Sequence, residues 1–314
     1  MRKFVRSISE GWQLLASKSE DSDLELILQV IVNGILFGSM YGTAAIGLSL
    51  IFGTMRIVFL AQGSVIIFFS YLCFWLFSLF GIDPYISIIP ITILALLGGA
   101  IMYYFLFREA AALKDPISSL LIAVGLMLML ENFMTVVWSP NPRSVVTSYG
   151  FYVLKFFGIR VTLTRLIGLV IAVMAMAGVN IFLKKTVIGT AVRACSEDSE
   201  ASTLMGISPN KVNGVAFAIG IGLAGIAGIN FAATYSFDPN YGFDVAIKAL
   251  FALILGGIGN VGGALLGGII IGLIESIASF YIGMGWAQAV LFVIFLLTLI
   301  LRPYGLFGKN IEKA

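Results

Sequence analysis

The sequence predicts an all-α protein, a polytopic integral membrane protein of about eight or nine membrane elements. Three observations carry this. Of 314 residues, 60% are hydrophobic and only 11% are charged, where a soluble domain carries roughly 25% charged residues. Mean hydropathy is +1.04. The apolar residues also fall in runs of the length, about 20 residues, that a spanning helix needs. A soluble domain this long would lack the polar side chains to cover its exterior, and a lipid-facing exterior removes that need.

The elements follow in order. Residues 1–25 form a polar leader, with Arg2, Lys3, Arg6 and Lys18 mixed among Glu10, Glu20, Asp21 and Asp23. It is expected to be a short amphipathic or disordered segment. It does not read as a cleaved signal peptide, because the first apolar run, from about Leu26 to Phe52, is too long for a signal core. The domain at 26–308 then carries candidate spans at 26–52, 57–80, 85–107, 117–138, 164–183, 212–235, 244–258, 264–282 and 286–301. The run at 244–258 is short and ends in a glycine-rich break, Gly256 to Gly263, so it reads as a half-helix or a tilted short span. Helices are required because hydrocarbon cannot satisfy an open backbone, and no short alternating segments of barrel type occur. A tail, 309–314, ends the chain.

Composition excludes several chemistries. The chain has no histidine, which removes Ser-His and Cys-His catalysis and His-ligated metal sites. Its two cysteines stand apart, Cys73 in an apolar run and Cys195 in a polar loop, so no structural disulfide is expected. A net charge of +3 without a basic face points away from nucleic acid. No phosphate-binding loop occurs, since Gly308-Lys309 is followed by Asn310.

Charge alone leaves the orientation open. If all nine elements cross and the C-terminus is inside, ten Lys and Arg lie inside and eight outside, with Lys248 inside an apolar run. That is a weak bias under the positive-inside rule. If one element is re-entrant, the N-terminus changes sides.

Small residues recur every fourth position at Gly34, Gly38 and Gly42, at Ala216, Gly220, Ala224, Gly228 and Ala232, and at Gly259, Gly263 and Gly267. Such stripes let helix backbones approach closely. Tight packing accounts for them; a moving interface is the alternative.

The loop 184–211 holds the most informative segment. Ser196 is placed to cap a helix whose first turn carries Glu197, Asp198 and Glu200, where the helix dipole favours acid. Ala201, Leu204 and Met205 share one face. Gly206 supplies a stop, and Pro209 opens the next helix. The spacing predicts an amphipathic helix of about two turns between two spans. So short a helix is marginal alone, and its apolar face needs a partner: the protein's own surface or a cleft on a soluble protein.

This segment resembles the coupling loop of ABC importer permeases, with Glu200-Ala201-Ser202 and Gly206 where those proteins carry Glu-Ala-Ala and a following Gly. More narrowly, the chain resembles permease subunits of the branched-chain amino acid importer family, which includes urea and short-amide importers. Gly256 to Ala264, Lys248-Ala249-Leu250, Gly53 to Arg56 and Ala61-Gln62-Gly63 also match, over about 28–308. Two departures stand out. The family's Asn-Phe-Ala-His-Gly reads Phe59-Leu60-Ala61-Gln62-Gly63 here, and Gly262 stands where the family tends to have proline.

The resemblance implies a coupling helix on the cytoplasmic side, with Arg193, Glu197, Asp198, Glu200, Ala201, Leu204 and Gly206 as its ATPase-coupling residues. It then places 184–211, 108–116 and the C-terminus inside and 139–163 outside. It implies two ATPase subunits that use ATP and Mg, a second permease subunit, an external solute-binding protein and alternating access in the inner membrane of a prokaryote. No cofactor is expected on this chain itself.

Polar residues inside the spans are costly and tend to face protein or water. Gln62, Glu131, Lys248 and Glu275 are the candidate lining of a solute pathway, with Asn132 and Asp244 as further polar members. Lys248 and Glu275 sit on neighbouring elements and offer both signs to a zwitterion. The plainer reading is a structural ion pair. A secondary transporter is the rival function: it needs an intramembrane ion site and no coupling loop.

Overall fold

The computed structural model describes the backbone of residues 2–113, 116–156, 159–302 and 305–308, and the side chains of 25–111, 117–155, 159–302 and 305–308. The side chains of residues 1–24 of the leader and the whole tail 309–314 therefore lie outside the described residues.

Among the described residues, eight helices are long and apolar enough to cross a membrane. They lie within α1 (Arg2–Met55), α2 (Gln62–Phe80), α3 (Ile88–Met102) with its continuation, α5 (Pro116–Trp138), α6 (Leu163–Lys185), α9 (Pro209–Thr234), α11 (Val261–Tyr281) and α12 (Met284–Leu301). A π-helical turn, Tyr103–Phe107, joins α3 to α4 (Arg108–Leu113). Two short helices, α7 (Val187–Glu197) and α8 (Ser199–Leu204), lie between α6 and α9.

The short run resolves as α10, Gly242–Gly256. At 15 residues it is about 22 Å long, against roughly 30 Å of hydrocarbon. A 3₁₀ turn, Pro239–Tyr241, precedes it. Its far end meets the end of α1, where a methyl group on Gly53 would lie 3.5 Å from the Gly259 Cα. It thus runs between the two faces of the bundle as a ninth, short pass.

Contacts between distant segments define the two faces. Met55, Ala110, the α7–α8 segment and the start of α9 surround one cavity, and Leu306 N donates to Leu255 O near them. On the opposite face, Gln29 bonds Arg160 and the Tyr85 hydroxyl donates to Thr164 O. We term these the coupling face and the far face. Residue 25 lies toward the far face and residues 305–308 lie at the coupling face, as in the all-crossing arrangement.

One expectation is corrected. The second span does not start at residue 57. Arg56 adopts φ +56°, and the chain re-enters the bundle without helix until Gln62. The cause is packing: Phe59 is fully buried, with ring centroids 5.5 Å from Phe107 and 5.1 Å from Phe217. The loop 139–163 also contains a small antiparallel hairpin, β1 (Val153–Phe156) with β2 (Ile159–Thr162), in which Val153 faces Thr162.

The glycine stripes are close-packing seams inside the subunit. A methyl group on Gly38 would lie 2.5 Å from the Gly268 carbonyl oxygen, which brings α1 against α11. Gly220 meets Gly47 and Ile51 of α1, and Gly228 meets Ile66 of α2. Helices α1 and α9 are accordingly the buried centre, while α3, α5 and α12 turn large apolar side chains outward.

Candidate coupling segment and polar ladder

The segment between α6 and α9 is built from its caps. The Thr186 hydroxyl accepts from Gly189 N at 2.9 Å and starts α7, whose Gly189, Val192 and Cys195 face the bundle. Asp198 then breaks the helix with an extended backbone. Its Oδ1 accepts from both Glu200 N and Ala201 N at 2.9 Å, satisfying two free donors of α8. At the other end Ile207 N donates to Ser202 O and Gly206 N to Thr203 O, with Gly206 at φ +81°. This is the paired bonding of a Schellman stop, which needs a left-handed residue at Gly206.

The cap expected at Ser196 is therefore Asp198. Ser196 lies in the last turn of α7 and donates to Arg193 O at 2.8 Å. Glu197 closes α7 rather than opening α8. An aspartate two residues further on wins because its carboxylate reaches two N–H groups at once.

Arg193, Glu197, Asp198, Glu200 and Ala201 are all exposed at the coupling face. Leu204 and Met205 are 88% and 83% exposed. Ser202 is the one residue of α8 that turns inward. The apolar tip thus stands away from the protein. Behind it is a cavity of about 740 Å³, bounded by Gly53–Ile57, Glu197, Asp198 and Asn213.

Within the bundle the structure pairs Lys248 with Glu275. Lys248 Nζ donates to Glu275 Oε1 at 2.5 Å and to the Tyr41 hydroxyl at 3.3 Å, and Lys248 is buried. Elsewhere Ser64 donates to Glu131 Oε1 at 3.1 Å. Gln62 is fully buried; its Nε2 reaches Gly220 O at 3.5 Å and its Oε1 has no partner among the described residues. The four expected residues therefore form a Lys248–Glu275 pair and separate Gln62 and Glu131 contacts, near where Ser64 packs against Gly242. Asn132 bonds back to Leu128 O on its own helix, and Asp244 accepts from Gln288.

Sequence reasoning missed Tyr41 and Arg165. Tyr41 belongs to a ladder down one face of α1, and Arg165 of α6 is the partner of one of its rungs. Gln29 contacts Arg160, Asn33 Oδ1 accepts from Arg165 at 3.1 Å, Phe37 lies 4.8 Å from the Tyr235 ring, and Tyr41 meets Lys248. The signal was present as polar and aromatic residues at i, i+4, i+8 and i+12. On the far face, burial holds the Tyr85 and Tyr149 phenols well above their usual range, with Asp83 adding to the shift.

These features define a multi-pass helical membrane protein with a capped, protruding helix at one face and a buried ion pair within. A family model for the permease component of branched-chain amino acid transport systems matches residues 30–299. The chain belongs to this permease family and is a membrane-spanning transport subunit. It is 29% identical to the high-affinity branched-chain amino acid transport system permease protein BraD of Pseudomonas aeruginosa, over 91% of this chain and 98% of that one. It is 28% identical to the corresponding permease protein LivH of Escherichia coli K12, over 91% and 97%. A probable branched-chain amino acid transport permease protein LivH of Methanocaldococcus jannaschii is 29% identical over 90% and 93%. No solved structure matches.

Proposed function

We propose that this chain is the permease of an ATP-driven importer that moves a branched-chain or similar small amino acid by alternating access. Two ATPase subunits using ATP and Mg, a second permease and an external solute-binding protein complete the assembly, in the inner membrane of a prokaryote. The coupling face is cytoplasmic in this reading. The observation that carries it is α8: a six-residue helix capped at both ends, with Leu204 and Met205 held out from the protein. A helix so short has little stability of its own. Its caps fix its shape, and its bare apolar tip suits a cleft on an ATPase. Movement of that cleft on ATP binding would bias the bundle between two states. The relatives' names support the solute class, and the Lys248–Glu275 pair offers both signs to a zwitterion.

The test is copurification. Gly206→Pro forces φ near −65° where +81° is required, and Glu200→Lys reverses a charge in the first turn. Both variants should lose the ATPase subunits while the spans remain folded and membrane-inserted. Wild-type recovery of the ATPase with both variants would refute the coupling role.

A further inference from the structure

Arg165 lies in the first turn of α6 and lines a far-face cavity of about 240 Å³. A guanidinium carries five N–H donors and one full charge. Among the described residues, Arg165 donates to Asn33 Oδ1 and pairs with no carboxylate. Two aromatic rings flank it: the Phe37 and Tyr235 ring centroids lie 4.9 Å and 5.7 Å from its guanidinium carbon. Rings hold a cation without neutralising it. A half-buried arginine at the membrane boundary is thus left with donors and charge to spare.

Thr147, only 4% exposed, lines the same cavity. Its hydroxyl lies near the Tyr149 phenol and makes no hydrogen bond of good geometry. Buried hydroxyls normally have a partner. The cavity wall also includes Thr162 and Thr164 at the start of α6, where no side chain caps the helix, so the positive end of a 23-residue helix adds to the field. Drug-sized ligands occupy roughly 300–1,000 Å³, so this space suits a smaller solute. The ladder on α1 connects it inward: Asn33 touches Arg165, and Tyr41, eight residues further and about 12 Å along the helix, touches Lys248.

We propose that this cavity is an outer carboxylate subsite, in which Arg165 takes the carboxylate of a small aliphatic amino acid before the solute passes along α1 to Lys248 and Glu275. The proposal rests on the amino-acid reading for its solute, but its chemistry is that of a carboxylate. A purely structural Arg165, pinning α6 to α1, would show no preference for that group.

Saturation-transfer NMR on the purified permease in lipid nanodiscs separates these ideas, with L-leucine, L-leucinamide and acetate as probes. The wild type should give at least a fivefold stronger signal with L-leucine than with L-leucinamide. Arg165→Met should reduce the leucine signal to the leucinamide level and remove the acetate signal. Arg165→Lys keeps the charge without the fork and should retain a weaker preference. Equal leucine and leucinamide signals in the wild type overturn the subsite even if every variant misfolds. Leucine binding unchanged in Arg165→Met overturns it while leaving the amino-acid reading intact. Arg165-dependent acetate binding with no leucine signal sinks the amino-acid reading and leaves the carboxylate subsite standing. Silence with all three probes overturns both.

Discussion

Helix α8 and the Tyr41–Lys248–Glu275 cluster each oppose their surroundings, in opposite directions. Leu204 and Met205 are apolar side chains at an exposed tip, held there by caps at Asp198 and Gly206. Lys248 is a cation inside an apolar bundle, held there by Glu275 and Tyr41. A bare apolar tip is relieved by docking on another protein. An ion pair inside the bundle has its charges balanced within the fold, though Glu275 Oε2 has no hydrogen-bond partner among the described residues, and losing one partner leaves the other charge uncompensated. The contrast teaches that the two sites should fail differently. The tip can be altered without cost to folding, and the pair cannot.

The largest expected effect lies in the frame between them. Gly38→Val would push a side chain into the Gly268 carbonyl across the α1–α11 seam. It should abolish recovery of folded protein in size-exclusion chromatography. Gly178→Val, which meets nothing within 4 Å, should leave recovery unchanged.

Next comes the ion pair. Lys248→Met leaves the Glu275 carboxylate without its cation, a change of about 3–5 kcal/mol for a buried pair. Uptake should fall to background while the ATPase subunits still copurify, with a lowered unfolding temperature. Adding Glu275→Gln should recover much of the thermal stability and none of the uptake. Normal uptake by Lys248→Met would remove the pair from the pathway.

The tip should show the reverse pattern. Leu204→Ser with Met205→Ser should weaken ATPase binding about tenfold, the scale of a small hot spot. The unfolding temperature of the isolated permease should not move, because neither side chain is buried. The smallest effect is expected from Asp198→Ala. Losing that cap costs about 1 kcal/mol of helix stability, which should weaken ATPase binding a few-fold in the same titration.

The sequence made the membrane elements legible because hydrocarbon allows so few backbone solutions. It also marked Gly206 and Pro209, whose backbone demands are local. The cap was misplaced by two residues, because Ser196 and Asp198 both suit the role and only the bend after Glu197 selects between them. The non-helical stretch before Gln62 was hidden, since apolar periodicity cannot distinguish a buried helix from buried irregular chain. The partners of Lys248 were half visible. Glu275 stood out as a charge in an apolar run, whereas Tyr41 looked like one more aromatic until α1 and α10 were seen side by side. Arg165 was only one of the eight charges counted outside, and its lack of a carboxylate partner among the described residues is a property of the folded packing.

Cross-linking tests the coupling role most directly. Cysteines placed at Leu204 and at Met205, in a background with Cys73 and Cys195 replaced by serine, would be treated with a short bismaleimide in membranes holding the whole assembly. The account predicts an adduct between this chain and the ATPase subunit from both positions, and none from a cysteine at Ser236 on the far face. An ATPase adduct from Ser236 and none from Leu204 or Met205 would contradict it.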